Sequence, residues 1–321
     1  MTLVDIKDEI ISGLATLAPK VDPNKASLEM DPVSIEISNF LADPAGLELV
    51  EFMGEILDEG KSSILIPNKF PERKELERLI QSAYSQNSKK NLRILLEIFY
   101  FFWEKYPDID PRILFQSLKK VERSSAIFLK KSTLKICCDC KSDNPEVSKN
   151  TCCNENAQNI LEIVEGFFHE KVKQTLQYNQ YLEIYIKNCL VASGIGTIGW
   201  GKESYGKNIC TSSIYRVDGE PVEIDLIGIS TPFTVLLIEV KTSKNITMTE
   251  IRKTENKFEG IIKKINKFTN RELPFLKIFI TTGKFDPNLS IDGYKRKSWD
   301  FINRVKIMRI NDELKRLIES I

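Results

Sequence analysis

The sequence predicts an α/β core with a mixed sheet flanked by helices, preceded by a helical amino-terminal domain and a small cysteine-rich insert. Three observations carry this expectation. Apolar residues recur three and four apart over most of residues 1–135, the spacing of helical faces. Five of the seven cysteines crowd between Cys137 and Cys153. Beyond Gly194 the pattern changes to short apolar runs bounded by turn signals, with a helical stretch between them. The expected division is 1–135 as a helical domain with a binding or regulatory role, 136–156 as the cysteine-rich insert, and 157–321 as a connecting helix and α/β domain.

In chain order, residues 4–18 and IEISNFLADPAGLELVEFMGEILDEG read as helices, the second broken at Pro44 and ended by Gly60. ERKELERLIQSAY and NLRILLEIFYFFWEKY follow as helices, and the aromatic run Phe99 to Trp103 reads as packed core. PRILFQSLKKVERSSAIFLKK continues the helical section, with Pro111 at a helix start. After the cysteines a long helix is expected over Asn154 to Ala192. Strands then follow in SSIYRV, PVEIDLIGI and FTVLLIEVK, with Asp218 and Gly219 as a tight turn between the first two. A helix over about 247–268, the strands FLKIFIT and RVKIMRI, and a closing helix to Glu319 complete the chain. That order implies a mixed sheet.

Charge is unevenly spread beneath a net value of +1. Residues 1–60 hold 13 acids against 3 Lys or Arg, whereas residues 61–135 hold 8 against 16. A near-neutral total therefore leaves room for a local basic surface that displaces counterions from nucleic-acid phosphates. No apolar run approaches the roughly 18 residues needed to span a bilayer. The first ten residues carry acids where a secretory signal places basic and then apolar ones. The expected setting is intracellular, cytoplasmic or nucleoid-associated, with no membrane partner.

The chemistry centres on VLLIEVK. Glu239 and Lys241 are two apart, so on a strand they leave from one face, at the end of an apolar run that reads as an internal strand. A buried carboxylate and ammonium are costly unless they pair or bind something. Asp225 joins them from the preceding strand, where it can face Glu239; two such carboxylates suit a hard cation such as magnesium. A cation there would polarise a phosphate and activate water, with Lys241 orienting that water or countering phosphoryl charge. A plain Glu–Lys pair on an edge strand is the bland alternative. Glu223 shares the Asp225 face and is a spare acid, and Asp218 belongs to the turn.

These residues resemble the motif of the PD-(D/E)XK nuclease superfamily, in particular the domains of Mrr-like and archaeal Holliday-junction-resolving enzymes. The resemblance covers about residues 175–321: Asp225, a gap of 13 residues, then Glu239-Val240-Lys241. YLEIYIKNCLVASGI is similar to the family's first core helix, and VKIMRINDELKRLI to its last strand and helix. Ile224 stands where many relatives have proline. The resemblance implies a restriction-endonuclease-like core and magnesium- or manganese-dependent hydrolysis of DNA, leaving a 5′ phosphate. It makes Asp225 and Glu239 metal ligands, Lys241 the catalytic lysine, and Glu183 a further catalytic acid and metal ligand on the first core helix, although Glu183 lies beside the apolar stripe of Leu182 and Ile186, where a solvated acid is the alternative. Homodimerisation follows because one such site cuts one strand. An inactive nuclease-fold DNA-binding or assembly protein, or a structure-specific nuclease acting on branched DNA or RNA, is the alternative.

The helix after Lys241 carries six Lys or Arg against three Glu, and Lys253 and Lys257 are the expected nucleic-acid contacts. Gly194 to Gly201 lacks the GxxxxGKS/T pattern of a phosphate loop and reads as a turn. Thr281, Thr282 and Lys284 are placed to line the same sheet end. Cys137, Cys140, Cys152 and Cys153 are the expected ligands of a structural zinc, although Cys138 competes for the first pair and local disulfides are the alternative. His169, well into the expected helix, reads as a surface or interface residue rather than a zinc ligand.

Overall fold

The computed structural model describes residues 20–21, 23–137, 160–192, 196–197, 213–217, 220–230, 234–242, 245–270, 272–281, 284–285 and 299–302. The helix expected over 4–18, the strand RVKIMRI and the closing helix lie outside them, as do most of the cysteine-rich and glycine-rich segments. The chain divides into two compact units, one made of Met1–Asn39 with Gln177–Ile321, the other of Phe40–Leu176. This differs from the expected division, because the first helices belong with the second half of the chain. Among the described residues no helix is long and apolar enough to cross a membrane.

The first unit opens with β1 (Lys20–Val21), α1 (Pro23–Glu29) and α2 (Pro32–Asn39). The Asp31 carboxylate accepts from the amides of Val33 and Ser34, capping α2 as a short acid before a helix does.

The second unit contains α3 (Gly46–Asp58), β2 (Ser63–Pro67), α4 (Arg73–Ser85), α5 (Lys89–Phe99), a π-helical turn at Tyr100–Glu104, α6 (Pro111–Arg123), β3 (Ile127–Cys137), β4 (Ile160–Phe168) and most of α7 (Glu170–Gln177). Gly60, at φ 75°, closes α3 in the left-handed conformation that glycine adopts without strain. Phe101 and Phe102 are core residues, with the Phe101 ring 4.5 Å from that of Phe52, as expected of the aromatic run, whereas Tyr100 within it is exposed.

Two helical expectations fail here. FLKK, read as the tail of a helix, lies in β3, and the long helix expected from Asn154 begins instead as β4. β2, β4 and β3 form an antiparallel sheet in that order. In β4, Leu161, Ile163, Gly166 and Phe168 turn inward between half-exposed residues, and β-branched residues favour that pleated surface once the neighbouring strands are in place. A side chain at Gly166 would meet Ile127 Cγ2 at 2.5 Å, so close strand packing requires glycine. Cys137 is paired in register with Ile160, so the cysteine-rich segment joins two neighbouring strands rather than two helices.

The first unit resumes with α8 (Gln180–Ala192), β5 (Gly196–Thr197), β6 (Ser213–Val217), β7 (Glu220–Ile224), β8 (Leu226–Ser230), β9 (Thr234–Lys241), β10 (Asn245–Ile246), α9 (Met248–Thr269), β11 (Phe275–Thr281), β12 (Lys284–Phe285) and β13 (Trp299–Ile302). Five strands form a sheet in the order β13-β11-β9-β8-β5. β9, β11 and β13 run parallel, and β8 runs antiparallel to both its neighbours. The expected mixed sheet is therefore present among the described residues. A second, antiparallel sheet holds β1, β6 and β7.

β9 is buried from Val235 through Val240, as an internal strand should be. α9 buries Ile251, Thr254, Phe258, Ile261 and Ile265 along one helical stripe. It starts in a capping box between Thr247 and Glu250, and Asn270 ends it in the left-handed conformation.

Candidate active site

PVEIDLIGI, which reads as one strand, is divided at Asp225. Residues up to Ile224 pair with β6 in the small sheet, and residues from Leu226 pair with β9 in the large one. Asp225 occupies the bend between them. The register of Leu226 with Ile238, carried one residue further, sets Asp225 opposite Glu239. Asp225 is only 6% exposed, and its Oδ2 accepts a 2.6 Å hydrogen bond from the Val240 amide.

Glu239 is 3% exposed. Its Oε1 lies 2.6 Å from Lys241 Nζ, and its Oε2 pairs with Lys257, which reaches in from α9. Two ammonium groups thus satisfy one buried carboxylate, a condition that a buried charge requires. Lys257 lies three residues after the buried Thr254 and one before Phe258, so the packing of the apolar stripe carries its stem toward the sheet.

The electrostatics follow from crowding. Burial first, and the Glu239 carboxylate second, push the Asp225 carboxyl up to about 6, against the opposing pull of Lys257, Lys241 and the Val240 amide. For Lys241, burial works to lower the pKa. Glu239, Asp225 and Glu183 outweigh it, so the ammonium holds its proton more firmly than an ordinary lysine.

Glu183 lies in the first turn of α8 and is 7% exposed, not on a solvated face. Its charge acts on Lys241 and on Lys25. The structure thus brings Asp225, Glu239, Lys241, Glu183 and Lys257 into one electrostatic neighbourhood. Among the described residues, no three His, Cys, Asp or Glu side chains converge as a ready metal cage. Lys253 is exposed on α9, away from the pairing that Lys257 makes. Thr281 is in register with Lys241 at the end of the neighbouring strand, whereas Lys284 pairs with Asn245 in a separate two-stranded ladder. Glu223 stays outside the acid pair and binds Lys25 at 2.8 Å.

Nothing in the sequence points to Lys25. It belongs to α1, 198 residues before Glu223, and a lone lysine in an acidic stretch gives no local signal. One helical turn on, Glu29 forms a buried ion pair with Lys187 of α8 at 2.9 Å. Lys187 is one turn beyond Glu183, so this pair fastens α1 to the helix that carries the third acid. An acid and a lysine at helical spacing from the site are visible in the sequence, but not their partnership.

Of the zinc candidates, Cys137 ends β3, and Cys140, Cys152 and Cys153 lie outside the described residues. His169 is half-buried and caps α7, its Nδ1 accepting from the Lys171 amide at 3.1 Å.

No protein-family model matches the chain, and no curated protein matches it. Among solved structures it is similar to protein VC1899 from Vibrio cholerae, with 12% identity and a TM-score of 0.42. The alignment covers 97% of this chain and 61% of that one, so the chain spans about three-fifths of the length of VC1899.

Proposed function

We propose that the protein is a metal-dependent endodeoxyribonuclease that hydrolyses DNA phosphodiester bonds, and that its first unit is a restriction-endonuclease-like core. The observation that carries this reading is the pairing of Asp225 with Glu239, both buried, at the bend between two sheets, with Lys241 and Lys257 against them. A cluster of four ionisable groups, one of them strongly shifted, is costly for a purely structural role and is the usual condition of a chemical site. The succession of α8, a hairpin, β8, β9, α9 and β11 also agrees with the element order of the nuclease resemblance.

The residues fit a hard cation. The Glu239 carboxylate helps to hold the Asp225 proton, so a divalent ion that replaces that proton relieves the repulsion, and magnesium needs only one or two carboxylates beside water and phosphate oxygens. Asp225 and Glu239 would hold it, with Glu183 acting through water. When bound, the ion supplies polarisation of the scissile phosphate and a more acidic water.

The chain's own groups do the rest. The Val240 amide fixes Asp225 in place. Lys241 keeps its proton, so it orients the attacking water and counters charge on the phosphoryl oxygens rather than acting as a free base. Lys257 balances Glu239 while the site is without a cation. Two copies, each cutting one strand, would break a duplex.

The test is cleavage of supercoiled, linear, branched and single-stranded DNA, and of RNA, with magnesium or manganese. Cutting of DNA supports the reading, and cutting of RNA alone moves the substrate class. No cutting by the wild-type chain on any substrate contradicts it.

A further inference from the structure

The second unit contains a cleft of about 510 Å³, within the usual size range of small-molecule sites. One wall is the amino-terminal half of α5, which presents Lys89, Lys90 and Arg93; Lys61 lies beside them, and the facing wall comes from the β2-β4-β3 sheet. Two acids, Glu97 and Glu165, also line it. Both are already committed within the protein. Glu97 pairs with Lys61 at 3.4 Å, and Glu165 accepts from Ser63 Oγ at 2.5 Å.

Lys89, Lys90 and Arg93 are exposed, and none of them forms an ion pair with another described residue. Their spacing makes the arrangement unfavourable by itself. Arg93 is three residues from Lys90 and four from Lys89, the separations at which like charges on a helix repel. The helix adds to the positive field, since α5 begins there and Ser88 supplies no side-chain cap to its first amides. An anion in the cleft would relieve the repulsion and take charge-assisted bonds from the lysines and the arginine fork.

We propose that this cleft binds phosphate groups, supplied either by the backbone of a nucleic-acid strand or by a nucleotide. The proposal rests on Lys89, Lys90, Arg93 and the uncapped start of α5. It does not depend on the nuclease reading.

Binding to the full chain, measured without divalent metal so that no strand is cut, tests it. The probes are a fluorescent 20-nucleotide single strand, the matching duplex and a fluorescent ATP analogue, with the triple variant K89A/K90A/R93A beside wild type. Because the three side chains are exposed, the variant should keep the wild-type unfolding midpoint. The expected result is a Kd weaker by about tenfold or more for a phosphate-bearing probe. For an oligonucleotide, the slope of log K against log salt should also fall by about 2 to 3, one for each phosphate that the three side chains neutralise in wild type. Loss confined to the oligonucleotides assigns the cleft to a strand, and loss confined to the ATP analogue assigns it to a nucleotide. K89R/K90R should bind as wild type does. Unchanged affinity for every probe in the triple variant, or no binding of any probe by wild type, overturns the proposal. A chain that binds through this cleft but cuts nothing would sink the nuclease reading alone, and one that cuts DNA with the triple variant's affinity unchanged would sink the cleft alone.

Discussion

The Val240 amide donates a 2.6 Å hydrogen bond to Asp225 Oδ2, so the acid at the bend is fastened to the backbone between Glu239 and Lys241. Position and charge of Asp225 are therefore separable. Asp225→Asn keeps an oxygen for the Val240 amide and removes the charge, whereas Asp225→Ala leaves that buried amide without a partner. Urea titration should find the alanine protein less stable than the asparagine protein by about 1–3 kcal/mol, the cost of a buried unsatisfied donor. Equal stability of the two would show that the hydrogen bond contributes nothing.

The raised Asp225 pKa fixes the direction of a pH effect in the metal-free protein. Its folded value of about 6 lies above the ordinary aspartate value of 3.8, so between those values the native state holds the proton and the unfolded state releases it. Stability then falls as pH rises through that window and is lower above pH 6 by on the order of 3 kcal/mol from this group alone. Asp225→Asn should lack this decline when unfolding is followed from about pH 4 to about pH 7. Divalent metal, which favours the ionised acid, should shrink it in wild type.

Glu29 and Lys187 make the second test of architecture. Both are buried, so removing one takes a buried ion-pair partner from the other, at a cost of about 3–5 kcal/mol. Glu29→Gln or Lys187→Met alone should lower the unfolding midpoint clearly in a denaturant titration. The double variant Glu29→Leu/Lys187→Met should recover most of the loss, since an apolar pair can replace a buried ion pair. A double variant no better than either single one would show that the pair's partners are not each other.

Lys257 tests how the acid pair is balanced. Lys257→Ala leaves Glu239 with Lys241 as its remaining ion-pair partner among the described residues, and should destabilise the metal-free protein by about 1–3 kcal/mol. Added magnesium should restore more stability to this variant than to wild type, because the cation no longer competes with an ammonium for that oxygen. Equal metal responses in thermal unfolding would contradict that competition.

Much of this arrangement is legible in the sequence, for physical reasons that differ by residue. Glu239 and Lys241 declare themselves because charge at the end of a continuous apolar strand needs an explanation, and the burial of Val235 to Val240 supplies the setting. Asp225 is visible as a residue but its bend is not, since the break falls within an unbroken strand-like pattern. Glu183 looks solvated beside an apolar stripe; the whole run from Tyr181 to Lys187 is buried, and that depends on packing which periodicity cannot reveal. Lys25 and Glu29 are invisible because their partners lie 198 and 158 residues further along the chain. The β2-β4-β3 sheet escapes for a different reason: short apolar runs such as SILIP and ILEIV satisfy helical and extended patterns alike, and only neighbouring strands decide between them.

The most direct measurement of the central claim is relaxation and linearisation of supercoiled DNA by wild type and Asp225→Asn, each with magnesium and with EDTA. Wild type should cut only with metal, and the asparagine protein, folded with its Val240 hydrogen bond kept, should be slower by about 100-fold or more. Cutting by Asp225→Asn at the wild-type rate, or wild-type cutting that survives EDTA, would contradict the account.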